Sequence, residues 1–136
     1  MSPPQRLLYL DSSALVKLVA EEHESAALLA FLSEQAGRIS SVLTRVEVLR
    51  AVGRSTLGAA GRRRAEDVLA RVALVRLDDG ILDAAGDLRP AGLRTLDALH
   101  LATALSIGPD LAGFVTYDRR LADAATVAGL DVATPR

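Results

Sequence analysis

Short apolar runs alternate along this chain with longer segments whose apolar residues recur every three or four positions. That alternation constrains the fold more than any other feature. Residues 7–11 (LLYLD) form an apolar run closed by a turn-favouring acid and are expected to be a strand. Further short strands are expected at 38–41, 74–77, 113–116 and 130–133. Helical spacing runs over 12–20, 25–35, 43–55, 60–72, 80–87, 96–107 and 119–128, with breaks at Gly37, near Gly58, and at Pro90 and Gly92. This order implies an α/β fold: a parallel, twisted sheet of four to five strands with helices on both faces and right-handed crossovers. Functional groups in such a sheet gather beyond the carboxyl ends of the strands.

The 136 residues suffice for one domain spanning 1–136 with a buried core, and half of them are apolar. With two Phe, two Tyr and no Trp, that core must be aliphatic. The absence of cysteine excludes disulfides, thiolate zinc sites and cysteine nucleophiles. Two histidines, His23 and His100, are too few for an imidazole-rich transition-metal site. What remains for a metal is oxygen, which suits Mg2+ or Mn2+. The opening MSPPQRLLYLD is too short in its apolar run for a signal peptide, and no stretch approaches the roughly 20 apolar residues of a membrane span. A soluble, cytoplasmic protein with no membrane partner is therefore expected.

The net charge of −1 is not that of a typical basic nucleic-acid binder. If four carboxylates share one pocket, however, the rest of the chain is net basic. Lys17 is the single lysine and the other basic residues are arginine, which suits bidentate phosphate contacts; a GC-rich genome gives the same bias.

Four acids stand where the topology would bring them together. Asp11 ends the first strand, and Asp118 follows the fourth. Glu47 and Asp97 lie near the starts of their helices, whose N-termini face the same edge. Each also has an ordinary structural role open to it. Asp11 and Asp118 can cap the helices that follow. Thr44 and Glu47 fit the T-x-x-E capping box. Asp97 can simply favour the positive end of a helix dipole. Glu47 also shares a face with Arg50 and Arg54 and can be an exposed ion-paired residue, beside the apolar stripe of Leu43, Val46 and Leu49.

The local sequences favour a shared site. YLDSSALVKL, TRVEVLRA, LRTLDALHLATA and FVTYDRRLADAA resemble, in order and spacing, the four acidic motifs of PIN domains, and most of all the VapC-type toxins of bacterial toxin–antitoxin pairs. The resemblance spans nearly the whole chain. DALHLATA and TYDRRLADAA are its most specific parts, because they match flanking residues as well as the acids. The family's acidic positions fall on Asp11, Glu47, Asp97 and Asp118, and its small hydroxyl positions on Ser12 and Thr116. Asp123 is a possible additional acid, against the ordinary reading of an exposed helical residue.

The resemblance implies a Mg2+-dependent endoribonuclease, with Mn2+ as the alternative ion, acting as the toxin of a type II pair. Crowded carboxylates repel one another, and one or two divalent ions remove that penalty while activating water and neutralising phosphate charge. Asp11 and Asp97 are then the expected direct ligands. Glu47 and Asp118 would ligate through water, position the attacking water or complete a second site, and Ser12 and Thr116 would orient carboxylates or metal waters. His100, three residues after Asp97, is expected to be buried and hydrogen-bonded rather than a catalytic base. Lys17, Arg119 and Arg120 are candidate RNA contacts, with Arg45 and the cluster Arg62, Arg63 and Arg64 as further ones, although each can be a solvated surface charge. With so few aromatics, recognition should rest on RNA shape, phosphates and local hydrogen bonds. The expected partners are an RNA substrate, a cognate VapB-type antitoxin covering the acidic pocket, and a second copy of the chain.

Two rival classes are weaker. Receiver-like phosphotransfer needs a lysine near a late strand, whereas Lys17 is near the start. A haloacid-dehalogenase-type phosphatase needs an aspartate where Ser13 stands, and there is no P-loop or G-x-G-x-x-G. The other rival is a non-catalytic PIN-like module that binds RNA or protein, against which the four acids argue.

Overall fold

The structure is a computed structural model and describes residues 6–34 and 37–136. Among them the chain runs β1 (Leu7–Leu10), α1 (Ser12–Val19), α2 (Ser25–Ser33), β2 (Gly37–Ser41), α3 (Thr44–Gly53), α4 (Gly58–Ala70), β3 (Ala73–Val75), α5 (Asp79–Asp87), α6 (Thr95–Ile107), β4 (Leu111–Val115), α7 (Arg119–Val127) and β5 (Val132–Ala133). Each expected element is present with ends shifted by a few residues. Gly37 opens β2 instead of only stopping the helix before it, and Gly58 begins α4 at a positive φ of 65° that glycine tolerates. The opening five residues, and Gln35 of the expected second helix, lie outside the described residues.

All strand pairs are parallel, and the order across the sheet is β3-β2-β1-β4-β5. The chain steps outward from β1 to β3, then crosses back to lay β4 on the other side of β1. The strand order therefore reverses between β1 and β4. At such a reversal the connections leave in opposite directions, which opens a crevice at the carboxyl ends of the two strands.

Alternation along the strands sends side chains to two cores. Leu8, Leu10 and Val115 join Leu15, Leu28, Val48 and Leu69 beneath α1 to α4. Tyr9, Ile39 and Phe114 join Leu101, Ala104 and Leu121 beneath α6 and α7. Tyr9 and Phe114, paired across β1 and β4, stack with ring centroids 5.2 Å apart. Gly113 keeps that pairing close: a Cβ there would come within 3.1 Å of the Leu8 side chain and 3.3 Å of the Asp131 carbonyl. No helix among the described residues is long and apolar enough to cross a membrane.

Because Phe114 is fully buried and holds the central strand pair, Phe114→Ala should cost about 3–5 kcal/mol of unfolding free energy. Urea denaturation measures this, and a loss below about 1 kcal/mol would contradict the packing.

Candidate active site

Asp11 is the first residue beyond β1, and its backbone N–H still pairs with the Val115 carbonyl of β4. Its side chain turns into the crevice yet is only 3% exposed. Oδ1 accepts from the Ala14 backbone N–H at 3.0 Å, which caps α1, and from the Ser13 hydroxyl at 2.6 Å. Oδ2 accepts from the Thr116 hydroxyl at 2.5 Å. Burial pushes the Asp11 pKa above the ordinary carboxylate value, and these three donors partly offset that rise.

Glu47 lies in the first turn of α3, but no capping box forms. Thr44 donates its hydroxyl to the Ser41 carbonyl instead. Glu47 Oε1 is 2.7 Å from His100 Nε2, and Oε2 accepts from the Ser12 hydroxyl at 3.2 Å. His100 is 1% exposed, and its Nδ1 is 2.7 Å from the Tyr9 hydroxyl. Burial raises the Tyr9 pKa, so the phenol keeps its proton beside Nδ1. On the other side of the ring, Nε2 donates to the Glu47 carboxylate. The histidine is thus buried and bonded on both nitrogens, as expected.

Asp97 is in the first turn of α6, and Asp118 caps α7 by accepting from the Leu121 N–H at 3.0 Å. Arg94 lies between them. Its Nε donates to Asp97 Oδ2 at 3.0 Å and a terminal nitrogen donates to Asp118 Oδ2 at 2.6 Å. Asp11, Glu47, Asp97 and Asp118 all line one cavity of about 330 Å³, together with Ser12, Ser13 and Arg94.

The sequence profile of the PIN domain matches residues 8–127. The chain belongs to the PIN domain family. Ribonuclease VapC46 of Mycobacterium tuberculosis is 48% identical over 128 residues, covering 94% of this chain and 97% of that protein. Ribonuclease VapC47 of the same species is 38% identical over 134 residues, covering 95% and 97%. A toxin–antitoxin complex from Klebsiella pneumoniae contains a chain that superposes with a TM-score of 0.72 at 22% identity, covering 95% of this chain and 98% of that one.

The other sequence candidates divide by position. Ser12 serves Glu47, while Thr116 serves Asp11 and also accepts from the Asp118 N–H at 3.1 Å. Lys17 lies 2.6 Å from Glu22 and 2.8 Å from Glu24, over the Tyr117 ring, so local pairing engages its charge. Arg119 and Arg120 are exposed at the start of α7. Arg120 lines a groove beside the acid cavity, and Asp123 lines that groove rather than the cavity. Arg45 is exposed on α3, as are Arg62, Arg63 and Arg64 on α4, where Arg62 pairs with Glu66. Two contributors were missed from sequence. Ser13 bonds Asp11 and accepts from the Tyr117 N–H at 2.9 Å, and its place in the D-S-S run was the available signal. Arg94 precedes Asp97 by three residues, a spacing that permits an ion pair on a helix start.

The donor set of this PIN domain fits a hard divalent ion. It offers carboxylate oxygens from four elements against one guanidinium, and no cysteine or free imidazole. Among the described residues, no three acid or imidazole groups are drawn together as a finished ligand cluster. The Arg94 bridge occupies the gap between Asp97 and Asp118 instead.

The raised Asp11 pKa sets a pH dependence. Between the unfolded value of 3.8 and the higher folded value, the folded state holds more protons than the unfolded one. The stabilisation from Asp11 is therefore complete below 3.8 and is lost as pH rises through the folded pKa. In EDTA, Asp11→Asn should lack this loss, so its stability relative to wild type should rise from about pH 4 to neutrality. Denaturation series at several pH values measure the difference, and a pH-independent one would contradict the assignment.

Proposed function

We propose that this chain is a metal-dependent endoribonuclease of the VapC type, the toxin of a type II toxin–antitoxin pair, with residues 1–136 acting as one PIN domain. The observation that carries this reading is the set of four carboxylates lining one cavity at the strand-order reversal. The 48% identity to a protein named as a ribonuclease supports it.

In this reading Asp11 and Asp97 hold Mg2+, or Mn2+ in its place, directly. When bound, a divalent ion favours deprotonation of water and neutralises charge gathering on the phosphate. Asp11 is kept in place by Ser13, Thr116 and the Ala14 N–H, so its oxygens need no rearrangement when the substrate arrives. Glu47, steered by His100 and Ser12, positions the attacking water or accepts its proton. Asp118 has one oxygen committed to the α7 cap and offers the other to the cavity. Arg119 and Arg120 contact substrate phosphates from the α7 side; Lys17, already paired twice, contributes less.

A cognate VapB-type antitoxin would cover the acidic cavity, which attracts a basic side chain. The K. pneumoniae relative in fold is itself part of a toxin–antitoxin complex. Homodimerisation would use exposed apolar residues such as Leu29 on α2 and Val46 on α3, and the cytoplasm is the compartment in which such a pair would work.

The test uses a structured RNA with a single-stranded loop. Wild type should cut it with Mg2+ or Mn2+, EDTA should stop cleavage, and Asp97→Asn should lower the rate at least about 100-fold, more than loss of an outer-shell partner does. Intact RNA under conditions where the protein binds the metal would leave the non-catalytic module as the correct reading.

A further inference from the structure

The four acids of the cavity are not neutralised in the same way. Asp11 and Glu47 accept from Ser13, Thr116, Ser12, a backbone N–H and the buried His100, with no guanidinium or ammonium among their donors. Asp97 and Asp118 come from different elements and share one cation, Arg94, which reaches Oδ2 of each. A guanidinium suits this task, because its planar fork carries donors on two edges and keeps its charge at any physiological pH. Its side chain is 66% exposed, so the bridge sits at the cavity rim and can open into solvent without uncovering the core.

We propose that Arg94 is an internal counter-cation that exchanges with the divalent ion, holding Asp97 and Asp118 together until metal displaces it from their Oδ2 atoms. This inference rests on the metal-site reading above. Two like charges facing one cavity raise each other's energy, and one guanidinium lowers that cost without filling the site permanently. Exposed ion pairs of this kind are weak and screened by salt, so a doubly charged ion with hard oxygen ligands replaces them. The bridge lowers apparent metal affinity by the fraction of molecules in which it is closed.

Isothermal titration of Mn2+ into the full chain at fixed ionic strength tests the exchange in wild type, Arg94→Gln, Arg94→Lys and Asp97→Asn. Arg94→Gln should bind Mn2+ about three- to tenfold more tightly than wild type, the span expected from removing two weak exposed pairs. Arg94→Lys, which keeps the charge without the fork, should fall between them, and Asp97→Asn should lose most binding. A second readout does not depend on the variants. The Arg94 Nε–H resonance should exchange with water about three- to tenfold more slowly in EDTA than at saturating Mg2+. Equal or weaker Mn2+ binding by Arg94→Gln, or an Nε–H unaffected by saturating Mg2+, would overturn the proposal while leaving the metal site intact. No Mn2+ binding by wild type or by either Arg94 variant would overturn the metal-site reading and this inference with it.

Discussion

The hydrogen bond from the Thr116 hydroxyl to the buried Asp11 carboxylate joins the two strands at which the sheet reverses its order. Thr116 reaches Asp11 because β4 pairs directly with β1, with Leu10 opposite Val115. The same hydroxyl accepts from the Asp118 backbone N–H, so one side chain sets the place of two acids. Ser13 repeats the pattern by bonding Asp11 and the Tyr117 N–H. The crevice of the parallel sheet is thereby converted from a gap between crossovers into a cavity with fixed walls.

Helix capping and site formation are not competing roles in this arrangement. Asp11 and Asp118 each give one oxygen to the first turn of the following helix, while the other oxygen accepts from Thr116 and from Arg94, respectively. The cap fixes the side-chain rotamer, and the strand end fixes the backbone, so each carboxylate is oriented before any ligand arrives. Glu47 has no cap to hold it and is anchored from the core instead, through His100 and Tyr9. Tyr9 stacks on Phe114, which ties the orientation of Glu47 to the packing of the central strands.

Much of this was legible in the sequence. Short apolar runs ending in Asp11 and before Asp118 marked strands, and helical spacing between them fixed the α/β order. The helix starts carrying Glu47 and Asp97 faced the same edge, and the motif resemblance made that edge one site. Element ends were less legible because they depend on tertiary bonds: β4 starts at Leu111 and β5 holds only Val132 and Ala133 in register. The T-x-x-E pattern at Thr44 was a local signal overridden by tertiary contacts, since Glu47 gains both His100 and Ser12. Arg94 was missed because sequence spacing relates it to Asp97 alone, and its reach to Asp118 exists only in the folded chain. Lys17 looked free for RNA, and only the fold returns Glu22 and Glu24 to it.

The central claim is that the carboxylates at the β1–β4 reversal hold a divalent ion. Anomalous diffraction from crystals soaked in Mn2+ tests it most directly. The account predicts a peak in the cavity within about 2.0–2.4 Å of oxygens from Asp11 and Asp97, with Glu47 and Asp118 around it. A peak confined to another surface, or a cavity without one at saturating Mn2+, would contradict it.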